Sequence, residues 1–376
     1  MIQSLYKRFL QDKPIAAALT IVMCPTAILL QLTHASAALR FIAACAAIVP
    51  LSSFLGNATE KLADRLGHGI GGLLNATFGN AAELIVSLAA LFKGLDDVVK
   101  ASLTGSILGN LLLVLGASFL AGGIKYPLQH FQRTPARVAG TMMALAAIGL
   151  IVPAIFHFLV GENSARLEHR LSAMVAGLLI ITYILGLIFS LLTHRTQFFV
   201  KSADPVTKQS LHNQTEAKTP AGVKKPLFTL IAATVGIAIM SEILVGAIEE
   251  AGKSLGLTSL FMGVVVVAIV GNAAEHATAV FMARKNQMDL AVGIALGSAT
   301  QIALFVAPVL VFASYLRPHP MDLLFSTFEV ASVILSVLVA RMVAEDGEST
   351  WLEGAMLLML YAILAIAFFE LPGVVH

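Results

Sequence analysis

Two glutamates stand in stretches that otherwise read as lipid-soluble. Glu83 lies in "FGNAAELIVSLAALFKG" (78–94) and Glu275 in "VGNAAEHATAVFMARKN", which starts at Val270. Each follows an asparagine by three residues, Asn80 and Asn272, within a shared GNAAE. An ionised carboxylate at the bilayer centre costs roughly 3 kcal/mol on insertion scales and more by other estimates. It persists where a cation, a proton or a water-filled cavity compensates it. No Lys or Arg lies near the centre of any span to pair with either glutamate. Residues three apart share a helix face, so each asparagine is expected beside its glutamate. Gly79 and Gly271 weaken the helix just before each asparagine. A kink there frees backbone carbonyls towards a cavity, where irregular backbone is tolerated. Ala81, Ala82, Ala273 and Ala274 let other helices approach closely.

Brought together, the two faces offer carboxylate and amide oxygens, with Ser106, Ser298, Thr77, Thr300 and Gln301 as further oxygen donors. An all-oxygen site with two negative charges suits a hard divalent cation, Ca2+ above all, and Mn2+ accepts the same set. Mg2+ would keep more of its water. Zn2+ or Cu+ would want cysteine or clustered histidine, and the only histidine at this point is His276. Emptied of metal, two carboxylates repel each other in a low dielectric. Protons then replace the cation, and no cofactor is called for. This is the logic of an exchanger. Other roles stay open for several residues. Asn80 and Asn272 are ligands or interhelical hydrogen-bond partners. His276 carries a proton or is merely packed. Glu60 and Glu250, followed by Lys61 and Lys253, form an entry funnel or solvated helix ends. Glu242 and Glu329 are candidates for a secondary relay.

The elements that must position these residues follow from composition. The 376 residues are 58% hydrophobic and only 12% charged, about half the charge of a soluble domain. Apolar runs of bilayer length recur throughout, so the chain is an all-α polytopic membrane protein. Eleven spans are expected: 14–32, 37–59, 69–92, 97–122, 136–160, 170–193, 227–249, 257–283, 288–315, 320–344 and 350–371. No sustained strand alternation supports a β-barrel. His194 to Pro226 is polar and reads as a mobile linker. Placing the N-terminus in the cytoplasm puts 17 of the 24 Lys and Arg on that side, which the positive-inside rule favours. The net charge of +2 gives no reason to expect nucleic acid. Cys24 and Cys45 read as buried free thiols, Trp351 as an interfacial anchor.

The motif is part of a repeat. Gly79–Glu83 aligns with Gly271–Glu275, and at the same offset Gly105-Ser106 falls on Gly297-Ser298. The expected division is 1–36 (tail and first span), 37–193 (first five-span repeat), 194–226 (linker) and 227–376 (second repeat). Five is odd, so the two copies cross the membrane in opposite senses, as in many secondary transporters with a midplane site. Gly105xxxGly109 and Gly293xxxGly297 read as close-packing faces.

At these residues the sequence resembles the Ca2+/H+ antiporters, the cation/proton exchanger branch of the calcium:cation antiporter superfamily. The resemblance rests on "NATFGNAAELIVSLAALFKG" with "GSILGNLLLVLG", and on "GNAAEHATAVFMARKNQMDLAVGIALGS" with "QIALFVAP". It extends from about Leu51 to Phe369 without the linker. It implies that Glu83 and Glu275 exchange Ca2+ for protons beside Asn80 and Asn272, with Ser106, Ser298 and Gln301 lining the site. It implies export of cytosolic Ca2+, from a prokaryotic plasma membrane or into a eukaryotic vacuole. The linker departs from the family pattern, with only Asp204 and Glu216 against six basic residues. The alternatives are a Na+-linked Ca2+ exchanger or a monovalent cation/H+ antiporter on the same scaffold. No HExxH or GxGD supports an intramembrane hydrolase, so an enzyme is not expected. The expected partners are Ca2+, H+ and the lipid bilayer. Stoichiometry and oligomeric state, a homo-oligomer included, stay open.

Overall fold

The computed structural model describes residues 13–160, 165–194 and 222–371. Twelve helices follow one another among the described residues: α1 (Lys13–Leu32), α2 (Ala37–Phe78), α3 (Ala81–Phe92), α4 (Asp96–Gly123), α5 (Arg133–Val160), α6 (Ala165–Ile188), α7 (Lys224–Leu255), α8 (Ser259–Gly271), α9 (Ala273–Arg284), α10 (Met288–Ser314), α11 (Thr327–Val343) and α12 (Trp351–Glu370). Two short strands, β1 (Gln129–His130) and β2 (Glu348–Ser349), pair antiparallel. Most of the expected linker lies outside the described residues, as does the tail before Lys13. The linker's last basic residues, Lys224 and Lys225, already belong to α7.

Among the described residues seven helices are long and apolar enough to cross a membrane, or nine if each of two bent pairs is one span. The expected eleven is reached only with α1, apolar over Ala16–Leu32, and α11, 17 residues long. Both sit near the short limit for a bilayer core of about 30 Å. Spans two and three are less separate than the sequence suggests, because helix runs unbroken from Ala37 to Phe78. The path nevertheless doubles back. A Cβ on Gly71 would collide with the backbone of Ala63, whereas a straight helix holds residues eight apart roughly 12 Å from each other.

The repeat is visible in the element boundaries. Both α3 and α9 have 12 residues, and they begin at Ala81 and Ala273. Helices α4 and α10 begin at Asp96 and Met288 and pass through π-helical turns at Gly109–Val114 and Ile302–Val306. Packing follows the same symmetry. Helix α2 packs on α7 and α5 on α11, while α4 packs on α12 and α10 on α6. Exchanging the repeats maps the first two pairs onto themselves and the last two onto each other.

Burial sorts the helices into an inner and an outer set. The apolar windows of α4 and α10 are 83% and 72% buried, against 17% for α6 and 22% for α12. The outer helices turn Leu178, Ile181, Ile363 and Ile366 outward, as lipid-facing residues should be. Lipid gives helices little hydrophobic reason to associate, so small residues and close packing carry the contacts. Gly116 of α4 meets the α12 backbone at Gly354, and Gly354 meets α4 at Leu120. Trp351 starts α12 and is half-exposed, as an interfacial anchor should be. Cys24 and Cys45 are free thiols but half-buried rather than buried.

Candidate ion-binding site

Both GNAAE stretches break their helices. The segment Ile70–Phe78 meets α3 at 44°, and α8 meets α9 at 61°. The breaks differ from the simple kink expected. Asn80 and Asn272 are not on the helix face beside their glutamates; each is the N-cap residue, with φ near −100°. An asparagine outside the helix reaches across to the other repeat. Asn272 Nδ2 donates to Glu83 Oε1 (3.2 Å), to Ser106 Oγ (3.0 Å) and to its own Ala268 carbonyl (2.9 Å). Asn80 Nδ2 donates to Gln301 Oε1 at 2.5 Å. Ser298 Oγ donates to Glu275 Oε2 at 2.5 Å. The glycines before the breaks face the opposite glutamates. A Cβ on Gly79 would lie 3.9 Å from Glu275 Oε1, and one on Gly271 would lie 3.9 Å from Glu83 Cβ.

The structure therefore brings together Glu83, Glu275, Asn80, Asn272, Ser106, Ser298 and Gln301. Among the described residues no group of three His, Cys, Asp or Glu forms a conventional metal cluster. Two carboxylates with amide and hydroxyl oxygens are what this site offers. Glu83 Oε2 and Asn80 Oδ1 are buried without a hydrogen-bond donor. Such orphaned acceptors are costly in a low dielectric and fit a hard cation's appetite for oxygen. His276 lies one residue beyond Glu275, with Nε2 buried and unpartnered, and its Cε1 is 3.9 Å from a Cβ built on Gly109. Thr77 and Thr300 spend their hydroxyl protons on Leu73 and Leu296 of their own helices.

Four further candidates lie elsewhere. Glu242 is exposed and pairs with Lys93 at 3.0 Å, so it is a surface ion pair and not a buried relay. Glu250 is exposed in the last turns of α7 and pairs with Arg40 at 3.2 Å, and Glu60 is exposed within the unbroken α2. Glu329 is buried, but it completes a capping box with Ser326 at the start of α11 and accepts from Thr104 at 3.2 Å. None of its bonds reaches the cluster.

The two halves are not equally closed. Helix α8 packs hard on α4, with Gly105 against the Val264 backbone and Gly263 against Ala101. The matching stripe on α10, Gly293 and Gly297, has nothing within 4 Å. It is not a packing face here, and Gly293 is exposed. Glu275 is accordingly half-buried, whereas Glu83 is only 3% exposed. At the other membrane face, away from the linker, Arg317–Asp96 and Lys100–Asp322, both 2.6 Å, tie α4 to the loop after α10.

Two groups were missed by sequence reasoning. The helix break frees the Ala76 carbonyl, and Tyr183 of α6 donates to it at 2.8 Å. That carbonyl does not face the cavity. Its signal was a tyrosine in an apolar span. Asn110, fully buried in the π turn of α4 with both amide atoms unpaired, was readable as a further Gly-Asn inside an apolar run.

The sequence pattern of the sodium/calcium exchanger protein family matches residues 36–192 and 225–370. This chain belongs to that family. A Ca(2+)/H(+) antiporter of Synechocystis sp. is 47% identical over 341 residues, covering 89% of this chain and 92% of that one. The Ca(2+)/H(+) antiporter ChaA of Bacillus subtilis is 44% identical over 348 residues, covering 92% and 96%. The solved structure of native YfkE superposes with a TM-score of 0.80 at 41% identity, covering 95% of this chain and all of that one. The chain is a multi-pass membrane transporter of the exchanger fold.

Proposed function

We propose that this chain exchanges Ca2+ for H+ by alternating access, with one half-site from each of the repeats 37–193 and 227–376. The observation that carries this reading is the cross-repeat cluster: two carboxylates at two helix breaks, with Glu83 Oε2 and Asn80 Oδ1 buried and unsatisfied. The relatives named as Ca2+/H+ antiporters support it. With both glutamates ionised, the cluster presents carboxylate, amide and hydroxyl oxygens to a divalent cation. Without the cation, two bare charges at that depth are expensive, and protons on Glu83 and Glu275 discharge them. Either load gives a site that can move; bare charge does not.

The unpacked glycine stripe of α10, Gly293 and Gly297, is the side by which Ca2+ reaches Glu275 from the linker face, while tight packing at Gly105 and Gly263 closes the other. The reciprocal state follows by exchanging the repeats: Ile70–Phe78 settles on α10 and α8 lifts from α4. The N-terminus and linker are cytoplasmic on the positive-inside count, so cytosolic Ca2+ leaves against an inward proton flow. The membrane is the plasma membrane in a prokaryote and the vacuolar membrane in a eukaryote. The testing experiment is Ca2+ flux in sealed vesicles under an imposed proton gradient. Flux that ignores protons and follows Na+ assigns the sodium-linked alternative instead.

A further inference from the structure

A second polar feature lies far from the ion cluster, at the membrane face opposite the linker. Most basic residues on that face have carboxylate partners: Arg40 with Glu250, Lys93 with Glu242, Lys100 with Asp322 and Arg317 with Asp96. Among the described residues Arg166, Arg170 and Lys253 have none. The two arginines line one surface cavity of about 680 Å3 with His169, Met174, Tyr315 and His319. Glu168, the acid within this stretch of α6, is taken by His157 Nδ1 at 2.9 Å. Among the described residues the cavity's lining is thus basic, with no carboxylate.

Its setting selects the ligand. The cavity sits where α6 begins and α10 ends, at the level of the membrane interface. Arg166, Arg170, Met174 and Leu178 are spaced four apart, so they follow one stripe of α6. The stripe passes from charge to exposed apolar surface: Met174 is 52% exposed, and Leu178 and Ile181 continue it. Tyr315 forms the opposite wall, half-exposed, and its hydroxyl donates to the His169 carbonyl at 3.3 Å. A guanidinium pair above a lipid-facing apolar stripe matches a molecule with a phosphate at one end and acyl chains below it. We propose that this cavity binds one anionic phospholipid, its phosphate on Arg166 and Arg170 and its chains along Met174 and Leu178. The lipid bridges α6 of the first repeat to the end of α10 of the second.

The test uses the full-length chain in detergent, titrated with phosphatidylglycerol, phosphatidylcholine or inorganic phosphate and read by native mass spectrometry. One phosphatidylglycerol should stay bound, at least tenfold tighter than phosphatidylcholine. Arg166→Gln/Arg170→Gln should abolish that preference, and Lys253→Gln, at an unpaired lysine outside the cavity, should keep it. Equal retention of both lipids, or unchanged preference in the double variant, overturns the proposal. Displacement of the lipid by millimolar inorganic phosphate also overturns it, by assigning a free anion site. A photoactivatable phosphatidylglycerol on the unaltered chain gives a reading that does not depend on a variant's folding. Its crosslinks should fall between Arg166 and Leu178, and labelling spread evenly over the outer helices would contradict the site.

Discussion

Asn272 of the second repeat donates to Glu83 of the first at 3.2 Å, whereas its counterpart Asn80 bonds Gln301 at 2.5 Å and leaves Glu275 to Ser298. The repeated Asn, Glu and Ser thus adopt two arrangements in the two copies, and Gln301 stands where the first repeat has Gly109. One glutamate is buried and the other half-buried. An exchanger built from two related halves needs such a difference at every moment, because both sides must never be open together.

Removing the Asn272 amide should weaken Ca2+ transport strongly. Hydrogen bonds to charged groups contribute about 1.5–3 kcal/mol, which corresponds to roughly ten- to hundredfold. Asn272→Ala should therefore raise the apparent KM for Ca2+ by about that factor. Gln301→Ala acts through Asn80 and should cost only severalfold. Initial rates of Ca2+ uptake over a range of concentrations separate the two.

The open glycine stripe predicts a variant that binds but does not turn over. A Cβ at Gly297 meets nothing within 4 Å here, so Gly297→Leu should let this state fold and hold Ca2+ normally. The added side chain then stands where Ile70–Phe78 must close. Equilibrium Ca2+ binding should persist while vesicle flux falls at least tenfold. Gly105→Leu, whose Cβ would overlap the Val264 backbone, should instead disfavour the state described.

Protons and Ca2+ are expected to compete for the same oxygens. Where both glutamates start protonated, Ca2+ binding should release about two protons, and apparent affinity should fall as pH falls. Calorimetry in buffers of different ionisation enthalpy counts the protons. Glu83→Gln should reduce the release to about one.

Tyr183 holds the carbonyl that the first break exposes. Tyr183→Phe removes one neutral hydrogen bond and should destabilise the protein by about 1 kcal/mol. Thermal unfolding in detergent reads this directly. Transport should survive with an altered rate, since Ile70–Phe78 is one of the segments that must move.

Much of this was legible in the residues. Composition gave a multi-span helical protein, and one repeated pentapeptide located both helix breaks and both carboxylates. The 192-residue offset is reproduced in the starts of α3 and α9. Side-chain direction was less legible. Asn80 and Asn272 read as helix-face neighbours of their glutamates because spacing assumes an unbroken helix; as cap residues they point across the repeat boundary. Exposure of Glu242 depended on Lys93, distant in sequence, and neither hydropathy nor spacing reports such a pairing. The unfilled stripe at Gly293 and Gly297 reflects one conformational state, and a sequence encodes all states at once.

The most direct test puts purified protein in sealed vesicles with an imposed proton gradient and follows Ca2+ uptake and internal pH together. Wild type should show coupled fluxes in opposite directions, and Glu83→Gln and Glu275→Gln should each abolish both. Full coupled transport in either variant would show that its glutamate serves packing alone, and the two-carboxylate exchange site would be contradicted.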